Sequence, residues 1–182
     1  LMVFVASPAR AQAFGSCRTG KAIAFGENAM LKASVFNTGG LFFGGSTTSG
    51  DGYRIPKFAR TQAPVLAAGL WLGGRIDGEL RVAAARYGNY NFWPGPLDEN
   101  TGRPVNPNDC SEYDRLYSVS RVDIQNYEAG SGTSLDLAEW PVDLGAPVID
   151  GDGDPTNYNL AGGDRPEIIG DQGIWWVMND VG

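Results

Sequence analysis

The 182-residue chain is long enough for one domain of ordinary size, carries a formal charge of -7 and contains no histidine. The acidic balance argues against nucleic acid as a partner, since a phosphate backbone wants a basic surface. The missing imidazole removes the commonest general base and the commonest transition-metal ligand. Twenty-six glycines and 11 prolines predict many turns and few long helices, and eight Phe, seven Tyr and five Trp favour strands with packed aromatic faces. The expected fold class is mainly β: an antiparallel, sandwich-like module with two short helices.

Residues 1–11 read as the remnant of a signal peptide, and 12–182 as the β-rich module. Leu1-Met-Val-Phe-Val5 has the character of an apolar h-region tail, and Ala9-Arg10-Ala11 offers an A-x-A cleavage site before Gln12. No basic region precedes the apolar run, so the leader is expected to begin upstream. The competing reading is a frayed N-terminal strand. No other segment approaches the roughly 20 apolar residues of a membrane span. The two cysteines, Cys17 and Cys110, would meet an oxidising compartment after export. A bridge closing so long a loop would contribute about 4–5 kcal/mol; two buried free thiols are the equal alternative.

Further along, Met30–Phe36 reads as a strand, Asn37–Gly40 as a turn and Leu41–Phe43 as the start of a second apolar run. Residues 46–51 form a polar loop, and Tyr53–Pro56 a short edge segment, because proline cannot donate to a ladder. Val65–Leu72 is apolar enough for a central strand. Asp77-Gly78 signals a type I′ turn, and Glu79–Tyr87 alternates behind it, with Leu80, Val82 and Ala84 on one face. Asn89–Asp98, aromatic and then proline-locked, is expected to leave the sheet as a rigid loop. Arg115–Val119 returns as a strand. Ser120 and Asp123 have capping-box spacing, Gly130 is placed to end a helix over 121–129, and Ser134 caps a short turn over 135–140 that stops at Pro141. Ile174–Met178 closes the chain as a buried strand, and downstream domains are expected to follow it.

From Asp143 to Asp171 the chain turns acidic, with Arg165 as the one base. Within it, Asp150-Gly-Asp-Gly-Asp154 places carboxylates at alternate positions, the spacing that suits a hard cation with oxygen ligands, calcium above all. Asp150, Asp152 and Asp154 match positions one, three and five of an EF-like loop, with the Thr156 carbonyl at position seven. Position six is Pro155 instead of glycine, and position twelve is Ala161 instead of glutamate. Asp164 is therefore the candidate closing carboxylate of a longer loop. The alternative is an acidic turn holding no metal.

Catalysis without histidine would need a carboxylate pair, as in glycosidases. Asp98, Glu112, Asp114, Glu139 and Asp171 are the candidates, with Trp93, Trp175 or Trp176 as sugar platforms, and no spacing singles out two of them. No Gly-x-Ser-x-Gly is present, and a cysteine nucleophile would lack its usual base. Phe92-Trp93, ahead of Pro94-Gly-Pro96, forms a candidate glycan platform; aromatics beside proline also commonly plug the end of a sheet.

Several blocks together resemble the N-terminal region of large proteins that gram-negative bacteria export through the type IX secretion system. They are Phe36-Asn-Thr-Gly-Gly-Leu-Phe-Phe43, Ala67-Ala-Gly-Leu-Trp-Leu-Gly-Gly74, Asn91-Phe-Trp-Pro-Gly-Pro-Leu-Asp98, Cys110-Ser-Glu-Tyr-Asp-Arg115 with Val119-Ser-Arg121, and Gly170-Asp-Gln-Gly-Ile-Trp-Trp-Val-Met-Asn-Asp180. The resemblance implies a secreted or surface-attached protein with later β-sandwich modules and a terminal sorting domain. It also implies an Asp-rich loop followed by Gly-Asp-x-Pro, matched here by Asp150–Asp154 and Gly163-Asp164-Arg165-Pro166, without the central asparagine-glycine of such loops. The expected role is a calcium-stabilised structural or adhesive module without catalytic activity, whose partners are other surface or matrix proteins or glycans. The alternative is a carbohydrate-binding or polysaccharide-degrading protein.

Overall fold

The computed structural model describes residues 20, 22–42, 52–58, 63–76, 78–85, 92–105 and 111–181, with Ile76 by its backbone alone. The leader, Cys17, Cys110, the 46–51 loop, Asp77 and residues 89–91 lie outside the described residues.

Short strands dominate, all paired antiparallel. β1 (Ile23–Glu27) and β2 (Lys32–Phe36) form a hairpin whose turn is held by Asn28, its Oδ1 accepting from the amides of Met30 and Leu31 at 2.8 Å each. Two short strands, β3 (Gly40–Leu41) and β4 (Tyr53–Arg54), each pair with β2, and β5 (Ala68–Gly69) continues from β3. The turn between β2 and β3 needs glycine: Gly39 has φ +76° and its backbone lies against the Phe92 ring.

The apolar run 65–72 is not one central strand. Val65 makes a single bridge to Tyr53, and after β5 the chain passes into β6 (Trp71–Ile76), which pairs with β7 (Glu79–Ala84) as a separate hairpin. The break falls at Gly69 and Leu70. A Cβ on Gly69 would overlap the Ala85 carbonyl, and the Leu70 amide donates to Gly39. Gly78, with φ +84°, makes the hairpin turn as its sequence predicts. Leu80, Val82 and Ala84 do share a face, but only Ala84 is buried; Trp71, Leu80 and Val82 are 68%, 67% and 61% exposed. Among the described residues of the hairpin, burial is confined to the small residues at its base, where Ala83 and Ala85 pack with Phe92 and Met178.

The aromatic segment 92–98 also departs from expectation. It does not leave the sheet entirely, since β8 (Trp93–Pro94) pairs with β13 (Met178–Asn179). A two-stranded ladder tolerates Pro94, which removes one donor from an edge. β9 (Tyr117–Ser120) pairs with β12 (Gln172–Trp175), and β10 (Val148–Ile149) with β11 (Arg165–Pro166). The described strands thus form one five-stranded and four two-stranded sheets, a mainly β antiparallel fold with two short helices.

Both helices start and stop on local chemistry. α1 (Arg121–Glu128) has a reciprocal capping box between Ser120 and Asp123. It ends in a Schellman motif, with Gly130 at φ +68° and the Ser131 amide donating to the Asn126 carbonyl at 2.8 Å. α2 (Leu135–Ala138) is capped by Ser134, whose hydroxyl accepts from the Leu137 amide at 3.3 Å. It is shorter than expected, one turn stopping ahead of Trp140.

Between these elements lies the main core: Val119, Leu137, Trp140 and Ala146, flanked by Tyr117, Ile124, Tyr127, Tyr158 and Trp175. Full burial of Val119 and Leu137 contributes about 1.5–3 kcal/mol each. Gln172 joins this half to the five-stranded sheet. Its amide donates to the Phe25 carbonyl at 2.9 Å and to Ser118 Oγ at 2.7 Å, while its oxygen accepts from the Glu27 amide at 2.8 Å. The side-chain amide thereby stands in for a peptide group against the edge of β1.

Tyr158 ties the acidic region to this core by donating its hydroxyl to the Leu137 carbonyl at 2.7 Å. Partial burial pushes its pKa up from 10.0 to about 12. A raised folded-state pKa means stability that is complete below pH 10 and is lost as pH climbs through about 12. Tyr158→Phe should cost about 1 kcal/mol at neutral pH and flatten this alkaline loss; urea titrations of both proteins across that window check it. Equal alkaline slopes in the two proteins would contradict the assignment.

Candidate metal centre

The ladder between β10 and β11 sets the geometry of the acidic loop. Ile149 pairs with Arg165, so the next positions outward bring Asp150 opposite Asp164, and then Gly151 opposite Gly163. Residues directly opposite one another on an antiparallel pair hold their Cβ atoms about 4.5–5.5 Å apart. The two carboxylates bracketing the loop are therefore cross-strand neighbours, although thirteen residues separate them in sequence. The glycine pair makes the neck narrow: a Cβ at Gly151 would overlap the Gly163 carbonyl, and Gly163 itself has φ +115°.

Asp164 is the anchor. It is 1% exposed; its Oδ1 accepts from the Gly151 amide at 2.9 Å and its Oδ2 from the Asn159 amide at 2.6 Å. Those backbone donors, Asn159 first and Gly151 second, hold its carboxyl below the usual carboxylate range. Exposed Asp150 turns inward, its Oδ1 accepting from the amides of Asp152 at 3.1 Å and Gly153 at 2.7 Å. Asp152 accepts from the Asp154 amide at 3.0 Å and from Asn159 Nδ2 at 2.8 Å.

The result is a cluster in which one carboxylate oxygen from each of Asp150, Asp152 and Asp164 lies within 4.8 Å of the others. These three residues can hold a metal ion. The donor set is purely oxygen, and each carboxylate oxygen that accepts one N–H keeps a lone pair free. In the same loop Asn157 Oδ1 is buried with no hydrogen-bond partner among the described residues. The donors fit a hard cation and not a soft one.

Asp154, the third aspartate of the sequence pattern, stands outside this group. Its Oδ1 accepts from the Thr156 hydroxyl at 2.6 Å and the Thr156 amide at 3.1 Å, the Thr156 hydroxyl being the main reason its pKa is lowered. Pro155 follows directly, where an EF-like loop has glycine, and Asp154 turns into a local cap on Thr156.

Asn159 is the site residue that spacing did not reveal. Its backbone amide, side-chain amide and Oδ1 contact Asp164, Asp152 and the Gly162 amide respectively. The available signal was an asparagine ahead of Leu160-Ala-Gly162, where it caps a 3-10 turn. Arg165 closes the far side: it donates to the Leu160 and Asp164 carbonyls at 2.9 and 2.6 Å, lies 5.0 Å from the centre of the Tyr127 ring and meets Glu128 of α1 at 3.3 Å.

The other candidates have structural surroundings. Phe92 is 2% exposed and packs on Ala83, Ala85 and Met178, so its faces are closed to a sugar; this corrects the platform expectation. Trp93 is half-buried in β8. Trp175 flanks the main core, and Trp176 Nε1 donates to Met178 Sδ at 3.4 Å. Asp98 caps a turn through the Asn100 and Thr101 amides. Asp114 Oδ1 accepts from the Ala22 amide and Asn37 Nδ2. Glu139 pairs with Arg115 at 2.6 Å, and Glu112 lies in a short 3-10 turn. Asp171 accepts the Arg121 amide at its backbone carbonyl.

No protein-family model, no curated protein and no solved structure matches the chain.

Because the neck of the loop has no room for a side chain, Gly151→Ala should destabilise the protein by about 1–3 kcal/mol. Gly170→Ala, where a Cβ meets nothing within 4 Å, is the matched control and should change stability far less. Chemical denaturation of both variants measures the difference, and equal midpoints would refute the tight crossing.

Proposed function

We propose that this chain is a structural or adhesive module of an exported protein, without catalytic activity of its own, whose 150–164 loop is clamped by calcium. The observation that carries the reading is the convergence of three carboxylates from both ends of one loop on a common point, in a protein with no histidine. Calcium takes six to eight oxygen ligands in flexible geometry; Asp150, Asp152 and Asp164 supply the charged ones, and carbonyls and water complete the shell. Neutralising three neighbouring carboxylates favours the closed loop, and only an environment rich in free calcium keeps so sparse a site filled.

Export is supported by the leader-like Leu1–Ala11 and by the resemblance to type IX cargo. Surface or matrix proteins, glycans and downstream domains of the same protein are the partners that this reading entails. A polysaccharide-active role has less support, because Phe92 is closed off and three of the candidate carboxylates (Asp98, Asp114 and Glu139) are engaged in structural contacts.

Calcium at about a hundred times its dissociation constant should add about 2.7 kcal/mol of stability, seen as a rise in melting temperature. Magnesium should add less, because it demands tighter octahedral geometry. Asp150→Asn keeps the oxygen that accepts from Asp152 and Gly153 but removes the charge, and should abolish most of the rise. Asp154→Asn should leave it largely intact. A melting temperature indifferent to millimolar calcium would overturn the proposal.

A further inference from the structure

The β6–β7 hairpin poses a physical problem that the metal loop does not touch. Its ladder is six residue pairs long, yet neither strand has another strand partner among the described residues. A lone two-stranded ribbon is marginal in water, and this one shows apolar groups on both faces. Trp71, Leu80 and Val82 lie exposed on one side and Leu72, 51% exposed, on the other. Among the described residues its base is fixed by Trp71 Nε1 donating to the Ala85 carbonyl at 3.0 Å and by the buried alanines beneath it. An edge that no described strand covers, flanked by apolar side chains, is a template for another strand.

Charge decides which strand. The chain carries -7 overall, so two copies repel across most of their surface. The hairpin is locally balanced, with Arg75 and Arg81 against Asp77 and Glu79. Glu79 and Arg81 are two apart on β7, share a face, and make no ion pair among the described residues. When β7 meets a second β7 antiparallel, with the two-fold axis at Leu80, each Glu79 falls opposite an Arg81 of the other copy, and the two Leu80 side chains meet at the centre. Centring the axis on Arg81 instead sets two arginines against each other. Opposite charges on directly facing positions stabilise a ladder, and like charges destabilise it.

We propose that β7 is a self-association edge, pairing with β7 of a second copy about Leu80 to join two hairpins into one four-stranded sheet. The interface is isologous and closes at two copies, because the same edge is used by both. Its short ladder makes the dimer a weak, concentration-dependent one.

Sedimentation velocity of the full chain over a range of concentrations, read with matched circular dichroism spectra, tests this. The wild type should shift from monomer to dimer as concentration rises. Glu79→Arg alone and Arg81→Glu alone should each weaken the dimer by about tenfold or more. An equimolar mixture of those two variants should restore it, because each Arg then faces a Glu, and so should the double swap Glu79→Arg/Arg81→Glu. A wild type that stays monomeric throughout would overturn the proposal. So would a dimer indifferent to the single substitutions, or single variants that neither the mixture nor the double swap rescues.

Discussion

One buried carboxylate organises the acidic half of this protein. Asp164 is almost wholly removed from solvent and accepts from the backbone amides of Gly151 and Asn159, groups from opposite ends of the same loop. A buried carboxylate left without donors would be costly, so the loop is obliged to close on it. Closure then delivers Asp150 and Asp152 to the same place. The cluster is thus a consequence of how the loop meets its own polar requirements, and the ion in our proposal answers the repulsion which that closure creates.

The surroundings reinforce this arrangement from two directions. On one side the β10–β11 ladder fixes the neck by register and the two facing glycines let it be narrow. On the other, Arg165 and Tyr158 attach the loop to α1 and α2, which in turn pack against β9 through Val119 and Leu137. The cluster therefore rests on the main core.

The β6–β7 hairpin shows how hydrophobicity misleads when read alone. The run 65–72 and the alternation after Gly78 have the composition of a sheet interior, yet the exposed residues include Trp71, Leu80 and Val82. The buried members are alanines, because the base of the hairpin meets the Phe92 ring and a second backbone at close range. Large side chains fit only where the ribbon projects. Phe92 illustrates the converse: a residue beside a proline lock, readable as a surface platform, is a plug in the smaller core.

Local chemistry was legible from sequence. The capping box of α1, its glycine stop, the Ser134 cap and the glycine turn of the hairpin all depend on residues within a few positions of one another, and each formed as its spacing predicts. The alternation of aspartates likewise marked the loop whose Asp150 and Asp152 join Asp164 in a cluster that can hold a metal ion. What only tertiary structure decided was every relation set by distant pairing. β1, the pairing of Trp93–Pro94 with Met178–Asn179 and the approach of Asp150 and Asp152 to Asp164 all follow from which strands meet and in what register. Propensity and periodicity act over one or two turns of chain, whereas register between remote strands is chosen by the burial and hydrogen bonding of the whole.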